Sequence, residues 1–274
     1  MPTEPMPELE APLQRWLDQV LGAWTLEHGD GPWRVRTAEG PLWVKTLPRG
    51  RAWSQVERVH REVLTHLSGV PRRVAAHAEL RTIVLTEVPG RPLSGDDAPQ
   101  CWEELGRRLR ALHATPCEDD DPVSLDDALR QRARAAARQQ PWADGALRAL
   151  VDAVPAGRRR VWCHRDLRPP NIRVGAEVGL IDFEHSRPDD PLVDLVRLEA
   201  GGWTPAQRSA FLEGWGHTPE PAALRAQLAL YGLLTLSWAE AHDDPTFSAL
   251  GRSALERAGL ALPVVDGTLS PLVE

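Results

Sequence analysis

The sequence predicts an α+β protein in two lobes, a small antiparallel β-sheet lobe with one main helix and a larger, mostly helical lobe. Three observations carry that expectation. Strand alternation and hairpin punctuation dominate the first third, helical periodicity dominates from residue 98 onward, and one short β-like insert around residues 160–183 interrupts the helices. The 274 residues suit one large domain or two small ones. We place the lobes at 1–88 and 89–274, with the join near residues 87–91.

Leu9, Leu13, Trp16, Leu17 and Leu21 fall at helical spacing, and Gly22 stops that helix. Residues 23–27 read as a first strand. Residues 33–37 and 42–47 flank Ala38-Glu39-Gly40-Pro41 as a hairpin. Residues 54–67 read as an amphipathic helix with Val56, Val59, Val63 and Leu67 on one face and Ser54 as its cap. Residues 81–88 read as a strand ending at Pro89-Gly90. Helices are then expected at 98–113, 124–139, 142–153, 191–199, 205–215, 221–241 and 245–261. The β-like insert comprises 160–163, 171–174 and 178–183.

Composition removes several function classes. With 32 basic and 39 acidic residues the net charge is −7, which argues against nucleic acid or an anionic membrane as partner. The most apolar stretch, residues 222–241, contains Arg225 and Gln227 and reads as a buried helix rather than a membrane span. Residues 1–10 carry Pro and Glu without a basic or apolar leader, so no signal peptide is expected. Three cysteines (Cys101, Cys117, Cys163) without metal spacing point to a reducing, cytoplasmic setting. Lys45 is the only lysine and Asn171 the only asparagine in an arginine-rich chain, which draws attention to both positions.

The segment Cys163-His164-Arg165-Asp166-Leu167-Arg168-Pro169-Pro170-Asn171-Ile172 is followed by Leu180-Ile181-Asp182-Phe183-Glu184. Chance sets a His and an Asp at these offsets from a lone Asn in roughly two of a thousand cases. A strand delivers Asp166 into a loop that Asn171 closes, and a returning hairpin sets Asp182 at a strand end. Two carboxylates and an amide oxygen therefore converge at one rim. Mg²⁺ takes one or two carboxylates and completes its shell with water and phosphate oxygens, a role that Asn171 and Asp182 suit. Asp166 is then free to accept a hydroxyl proton, with Arg168 beside it as its catalytic companion.

These residues resemble the catalytic loop and metal-binding strand of the protein-kinase-like fold, in particular the aminoglycoside phosphotransferase and choline kinase family. The resemblance is strongest over residues 164–195. Thr86-Glu87-Val88-Pro89-Gly90-Arg91-Pro92-Leu93 resembles that family's hinge, which implies that the backbone of Glu87 and Val88 holds the adenine of ATP (or the base of GTP). Asp190-Pro191-Leu192-Val193-Asp194-Leu195 resembles its helix start, whose second Asp braces the catalytic loop. Lys45, on the third strand, resembles the lysine that holds the α- and β-phosphates. The resemblance puts the carboxylate partner of Lys45 on helix 54–67, with Glu62 preferred and Glu57 the alternative.

The implied activity is Mg²⁺-dependent transfer of the γ-phosphoryl group to a hydroxyl of a small-molecule acceptor. A protein kinase is disfavoured, because Glu184 follows Asp182-Phe183 where a Gly is expected, no long activation segment fits before the next helix, and no A-P-E follows. A catalytically weak or inactive nucleotide-binding module is the other alternative, suggested by the irregular glycine turn at residues 27–32. Acidic groups at 118–121 and at Glu240, Asp243 and Asp244 would attract a polycation if they line the acceptor cleft. Helices 124–153 and 205–261 are expected to wall that cleft. His28, His60, His77 and His113 show no metal spacing and are read as structural, and the eleven tryptophans are read as core and lobe packing.

Overall fold

The first hydrophobic cluster forms where an amphipathic helix lies on a twisted sheet. The structure is a computed structural model, and it describes residues 9–28, 31–49, 53–117 and 121–262. Helix α1 (Ala11–Leu21) carries Pro12 in its first turn and is stopped by Gly22. It sets Leu13 and Leu17 against Val35, Leu42, Val44 and Val84 of the sheet. The strands are β1 (Trp24–His28), β2 (Trp33–Thr37), β3 (Gly40–Thr46), β4 (Arg73–His77) and β5 (Thr82–Thr86). They are all antiparallel, in the order β1-β2-β3-β5-β4. Side chains alternate across a strand. Leu42 and Val44 therefore face α1, while Trp43 and Lys45 face the opposite side and line a cleft.

The expected continuous helix at 54–67 is instead three consecutive pieces. Helix α2 (Trp53–Arg58) passes into a π-helical turn, Val59–Val63, and then a 3-10 turn, Leu64–His66. Val59, Val63, Leu64 and Leu67 do not stay with the sheet. They join the large core with Leu105, Leu109 and other apolar groups of the helical part, so one hydrophobic core runs under both regions.

The remainder contains β6 (Arg91–Pro92), α3 (Pro99–His113), α4 (Leu125–Gln139), α5 (Asp144–Asp152), β7 (Val161–Cys163), β8 (Ile172–Val174), β9 (Val178–Leu180), β10 (Arg187–Asp189), α6 (Leu192–Gly201), α7 (Pro205–Trp215), α8 (Pro221–His242) and α9 (Pro245–Ala258). Helices α3 and α7 cross backbone to backbone at Gly106 and Gly214, where an added Cβ would collide with the carbonyls of Phe211 and Glu103. Helix α8 is apolar nearly all round because it is buried among α5, α6 and α9. Among the described residues no helix is long and apolar enough to cross a membrane.

Three strands escape the sequence reading. β4 (Arg-Val-Ala-Ala-His) lacks alternation and is held by its pairing with β5. β6 contains a proline and only two residues, and exists through its pairing with β8. β10 carries a proline as well and pairs with β7. The ladders β7–β10 and β6–β8–β9 matter most here, because the loops between their strands carry the polar motif.

Candidate active site

The loop after β7 is fixed by hydrogen bonds that leave few alternatives. The His164 ring is fully buried. Its Nδ1 accepts the Asp166 backbone N–H at 3.2 Å, so Nε2 carries the proton and donates to the Ile181 carbonyl at 2.8 Å. That ring ties the loop to the residue preceding Asp182. Asp194, completely buried at the start of α6, accepts the backbone N–H groups of His164 (2.9 Å) and Arg165 (2.6 Å). His113 is the third partner of Asp194. The Trp215 indole donates to His113 Nδ1 at 3.1 Å, so His113 Nε2–H faces Asp194 Oδ2 at 3.1 Å. Burial alone would raise the Asp194 pKa, but His113 and the backbone donors hold it below its ordinary value. Cys163 lies beside this pair but gives its S–H to the carbonyls of Asp189 and Asp190.

Asp166 is buried and crowded. Its Oδ2 accepts Asn171 Nδ2 at 2.7 Å and Arg168 Nε at 3.1 Å, and its Oδ1 accepts Arg197 Nη1. Asn171 Nδ2 also donates to the Asp166 carbonyl at 2.9 Å. Both partners of that nitrogen are acceptors, which leaves the Asn171 carbonyl oxygen as the free end. Arg197 has no counterpart in the motif, and only its position one turn beyond Val193 on α6 could have signalled it.

Asp182 sits in the left-handed region (φ 69°, ψ 59°), an unfavourable place for a non-glycine residue and one found at functional sites. Lys45 Nζ lies 2.8 Å from Asp182 Oδ1 and 3.4 Å from Glu184 Oε1. Burial would raise the Asp182 pKa, but the Lys45 ammonium holds it below the ordinary range. In the sequence Glu184 is notable only as a departure from the protein-kinase pattern, with no part assigned at Lys45. It reaches Lys45 because Phe183–His185 turns once as a 3-10 helix over the buried Phe183 ring.

The expected pairing of Lys45 with Glu62, or with Glu57, is not what the structure holds. Glu62 is exposed and bonds Arg58 at 3.0 Å and Arg61 at 2.7 Å. Glu57 bonds Arg61 and Arg73 at 2.6 and 2.8 Å. The residue turned inward on this segment is His60, which is buried and packs edge-on against Phe183. Residues two apart on a helix lie on nearly opposite sides, so a His60 facing in puts Glu62 out. Burial, then the charges of Lys45 and Arg73, pushes the His60 pKa down to about 4.

Lys45, Trp43, Glu87, Val88, Asn171 and Asp182 are among the residues around one cavity of about 310 Å³. The Glu87 side chain points away from a ligand role. It accepts Arg34 at 2.6 and 3.0 Å and the Trp43 indole at 3.1 Å, which staples the connector between sheet and helices to β2 and β3. Gly90 (φ 124°) lets that connector touch the β8–β9 hairpin, since a Cβ there would lie 2.7 Å from the Val174 carbonyl. Gly29 and Asp30, part of the expected phosphate-covering turn, lie outside the described residues; Pro32 lines the cavity.

A second cavity of about 610 Å³ opens on the other side of Asp166. Its walls are the loop, α6, α8, Arg132 of α4 and Phe247 of α9. The expected contributions of α5 and α7 are absent from its lining. So are Asp121, Glu240, Asp243 and Asp244, four of the acidic groups thought able to draw a polycation. Asp121 pairs Arg160 at 3.3 Å, Glu240 accepts Gln140 at 3.0 Å, and Asp244 caps α9. Residues 118–120 lie outside the described residues. Two tryptophans, Trp43 and Trp238, line the cavities rather than serve only as packing.

The donor set at the shared rim fits magnesium. Asp182 offers a carboxylate and Asn171 a carbonyl oxygen, with neither imidazole nor thiolate in the wall of the smaller cavity.

Residues 7–231 match the family model APH, the phosphotransferase enzyme family. No curated protein sequence matches the chain significantly. Among solved structures, a Plasmodium vivax ethanolamine kinase is similar with a TM-score of 0.65 at 13% identity, covering 89% of this chain and 85% of that one. The choline kinase LicA of Streptococcus pneumoniae gives 0.65 at 17% identity, with 91% and 97% covered. The streptomycin–ATP–APH(2″)-IIa ternary complex gives 0.62 at 17% identity, with 92% and 97% covered. At such identities the likeness is one of fold.

Proposed function

Because this chain belongs to the phosphotransferase enzyme family, we propose that it is a small-molecule kinase that moves the γ-phosphoryl group of ATP or GTP to a hydroxyl of its acceptor. One observation carries the reading. Asp166 and Asn171, joined at 2.7 Å, stand between two cavities, with Asp166 opening on the larger and Asn171 and Asp182 on the smaller. A donor on one side and an acceptor on the other would meet across that pair. The ATP held by one fold neighbour supports the choice of donor.

Lys45 grips the phosphates, and the backbone at Glu87 and Val88 lies along the edge of the base. Asn171 and Asp182 would hold Mg²⁺, which when bound would offset charge on the phosphate oxygens. Asp166 orients the acceptor hydroxyl and takes its proton. The acceptor oxygen then bonds to the γ-phosphorus as the bond to the bridging oxygen breaks and the nucleoside diphosphate leaves. Arg168, 3.1 Å from Asp166, neutralises charge beside the transferred group. The lobes divide at residues 88 and 89, so the nucleotide lies between sheet and loop.

Asp166→Asn should lower acceptor-dependent ADP release at least about a hundredfold while Mg-ATP binding by calorimetry persists. Asp182→Ala should abolish the Mg²⁺ dependence of nucleotide binding. Full activity in either variant ends the assignment. A binding module without turnover has one observation in its favour: Arg197, Arg168 and Asn171 together occupy both oxygens of Asp166. Stabilisation by Mg-ATP in a thermal melt, with no ATP hydrolysis and no acceptor turning over, would select it.

A further inference from the structure

We propose that the acceptor is an anion: a hydroxyl compound that carries a carboxylate or phosphate group beside an apolar portion. This rests on the kinase reading above and narrows its substrate class. Among the described residues, the larger cavity is lined by four arginines, Arg132, Arg165, Arg168 and Arg197, and by one carboxylate, Asp166. Asp189 is a further carboxylate, wholly buried behind them. It accepts Arg132 Nη2 at 2.8 Å on each oxygen and lies 3.0 Å from Arg165 Nε. Among the described residues, these four guanidinium groups thus share two carboxylates. Burial pushes the Arg165 pKa below its ordinary value, and Arg187 and Arg132 push the same way against Asp189. Burial is the main cause of that shift, and the neighbouring cations add to it. A polycation or a quaternary amine entering here would meet net repulsion, whereas a carboxylate or phosphate would complete the charge balance.

The other end of the cavity differs. Leu234 and Trp238 are 41% and 43% exposed at its mouth, and Phe247 packs on Trp238 with ring centroids 4.6 Å apart. Exposed large apolar groups at a cavity mouth are places where a ligand's own apolar part gains burial. Between the two ends lies Tyr231, under the Arg197 guanidinium at 5.7 Å, its buried hydroxyl beside Thr235 with no well-aligned partner. That hydroxyl is placed to bond a polar group of the acceptor.

Arg197 links recognition to chemistry. It occupies Asp166 Oδ1, the oxygen an acceptor hydroxyl would need. An acceptor bearing a negative group offers Arg197 an alternative partner and so releases that oxygen. A neutral or cationic alcohol offers none, and Asp166 stays covered.

The test uses the full-length protein with Mg-ATP and four acceptor panels: hydroxy acids and sugar acids; sugar and polyol phosphates; neutral polyols; and cations including choline, ethanolamine and streptomycin. ADP release should rise with a carboxylate or phosphate acceptor, and the responding panel identifies which anion it is. The free acid should exceed its own amide or ester at least tenfold in kcat/KM, and its KM should climb with ionic strength. Arg197→Ala and, separately, Arg132→Ala should raise the KM for that acceptor at least tenfold with the KM for ATP unchanged. Stimulation by the neutral or cationic panels alone overturns the inference and leaves the kinase reading intact. Mg-ATP binding and slow hydrolysis with no response to any anion overturns it too. Absence of Mg-ATP binding in a thermal melt removes the kinase reading itself.

Discussion

The two walls of the smaller cavity are built on different principles. The loop wall supports itself: His164, Asp166, Asn171 and Asp194 satisfy one another and the loop backbone, all within the helical part. The sheet wall does not. Lys45 finds its carboxylates across the cleft, at Asp182 and Glu184, and the helical segment beside it contributes a neutral, buried His60. The difference teaches that one wall is preorganised before any ligand arrives, while the geometry of the other depends on what lies between them.

That contrast can be broken in several ways. The largest effect should come from Asp194→Ala, which leaves two backbone N–H groups and His113 without their partner in a dry interior. A loss of about 3 kcal/mol or more in denaturant unfolding is expected, together with turnover. A melting temperature within about 1 °C of the parent would mean that the loop does not hold itself.

His60 tests the sheet wall through pH. Its folded pKa, about 4, is depressed from the ordinary 6.5, so in that window the unfolded chain binds a proton that the folded one does not. Stability should rise with pH from about 4 to 6.5 and fall on acidification, by about 3 kcal/mol over the whole window. His60→Phe should flatten that part of the stability profile, and an unchanged slope would contradict the burial of a neutral ring there.

The smallest effects separate the lysine from its expected neighbour. Lys45→Ala should raise the KM for ATP about tenfold or more with little change in melting temperature, because its partner Asp182 faces the cleft rather than the core. Glu62→Gln should leave both quantities within about twofold, as an exposed pair contributes little. A large loss of ATP affinity in the glutamate variant would mean that the segment rotates when nucleotide binds.

What the sequence revealed follows the same division. Asp166 and Asn171 lie five positions apart and a short hairpin returns the chain to Asp182, so the local pattern sufficed to bring the three to one rim. Lys45 was legible through its singularity in the composition and its resemblance to the family's third-strand lysine. Glu62 was preferred through the resemblance and not through periodicity, and nothing in that resemblance signalled the π-helical turn or the inward-facing His60 on this segment. The short strands β6 and β10 owe their existence to partners distant in sequence and carry no periodicity of their own. The arginine-lined cavity was invisible for that reason too, since Arg132, Arg165 and Arg197 come from three separate elements and only the fold collects them.

The bond between Lys45 and Asp182 has a thermodynamic corollary. The ammonium can leave its carboxylate only for another anion, and the carboxylate, partly buried, then demands another positive charge. Triphosphate and divalent cation should therefore each bind poorly alone and strongly together, by the reciprocity that any linked pair of equilibria obeys. Titrating either species with the other present and absent would yield the same coupling factor from both directions.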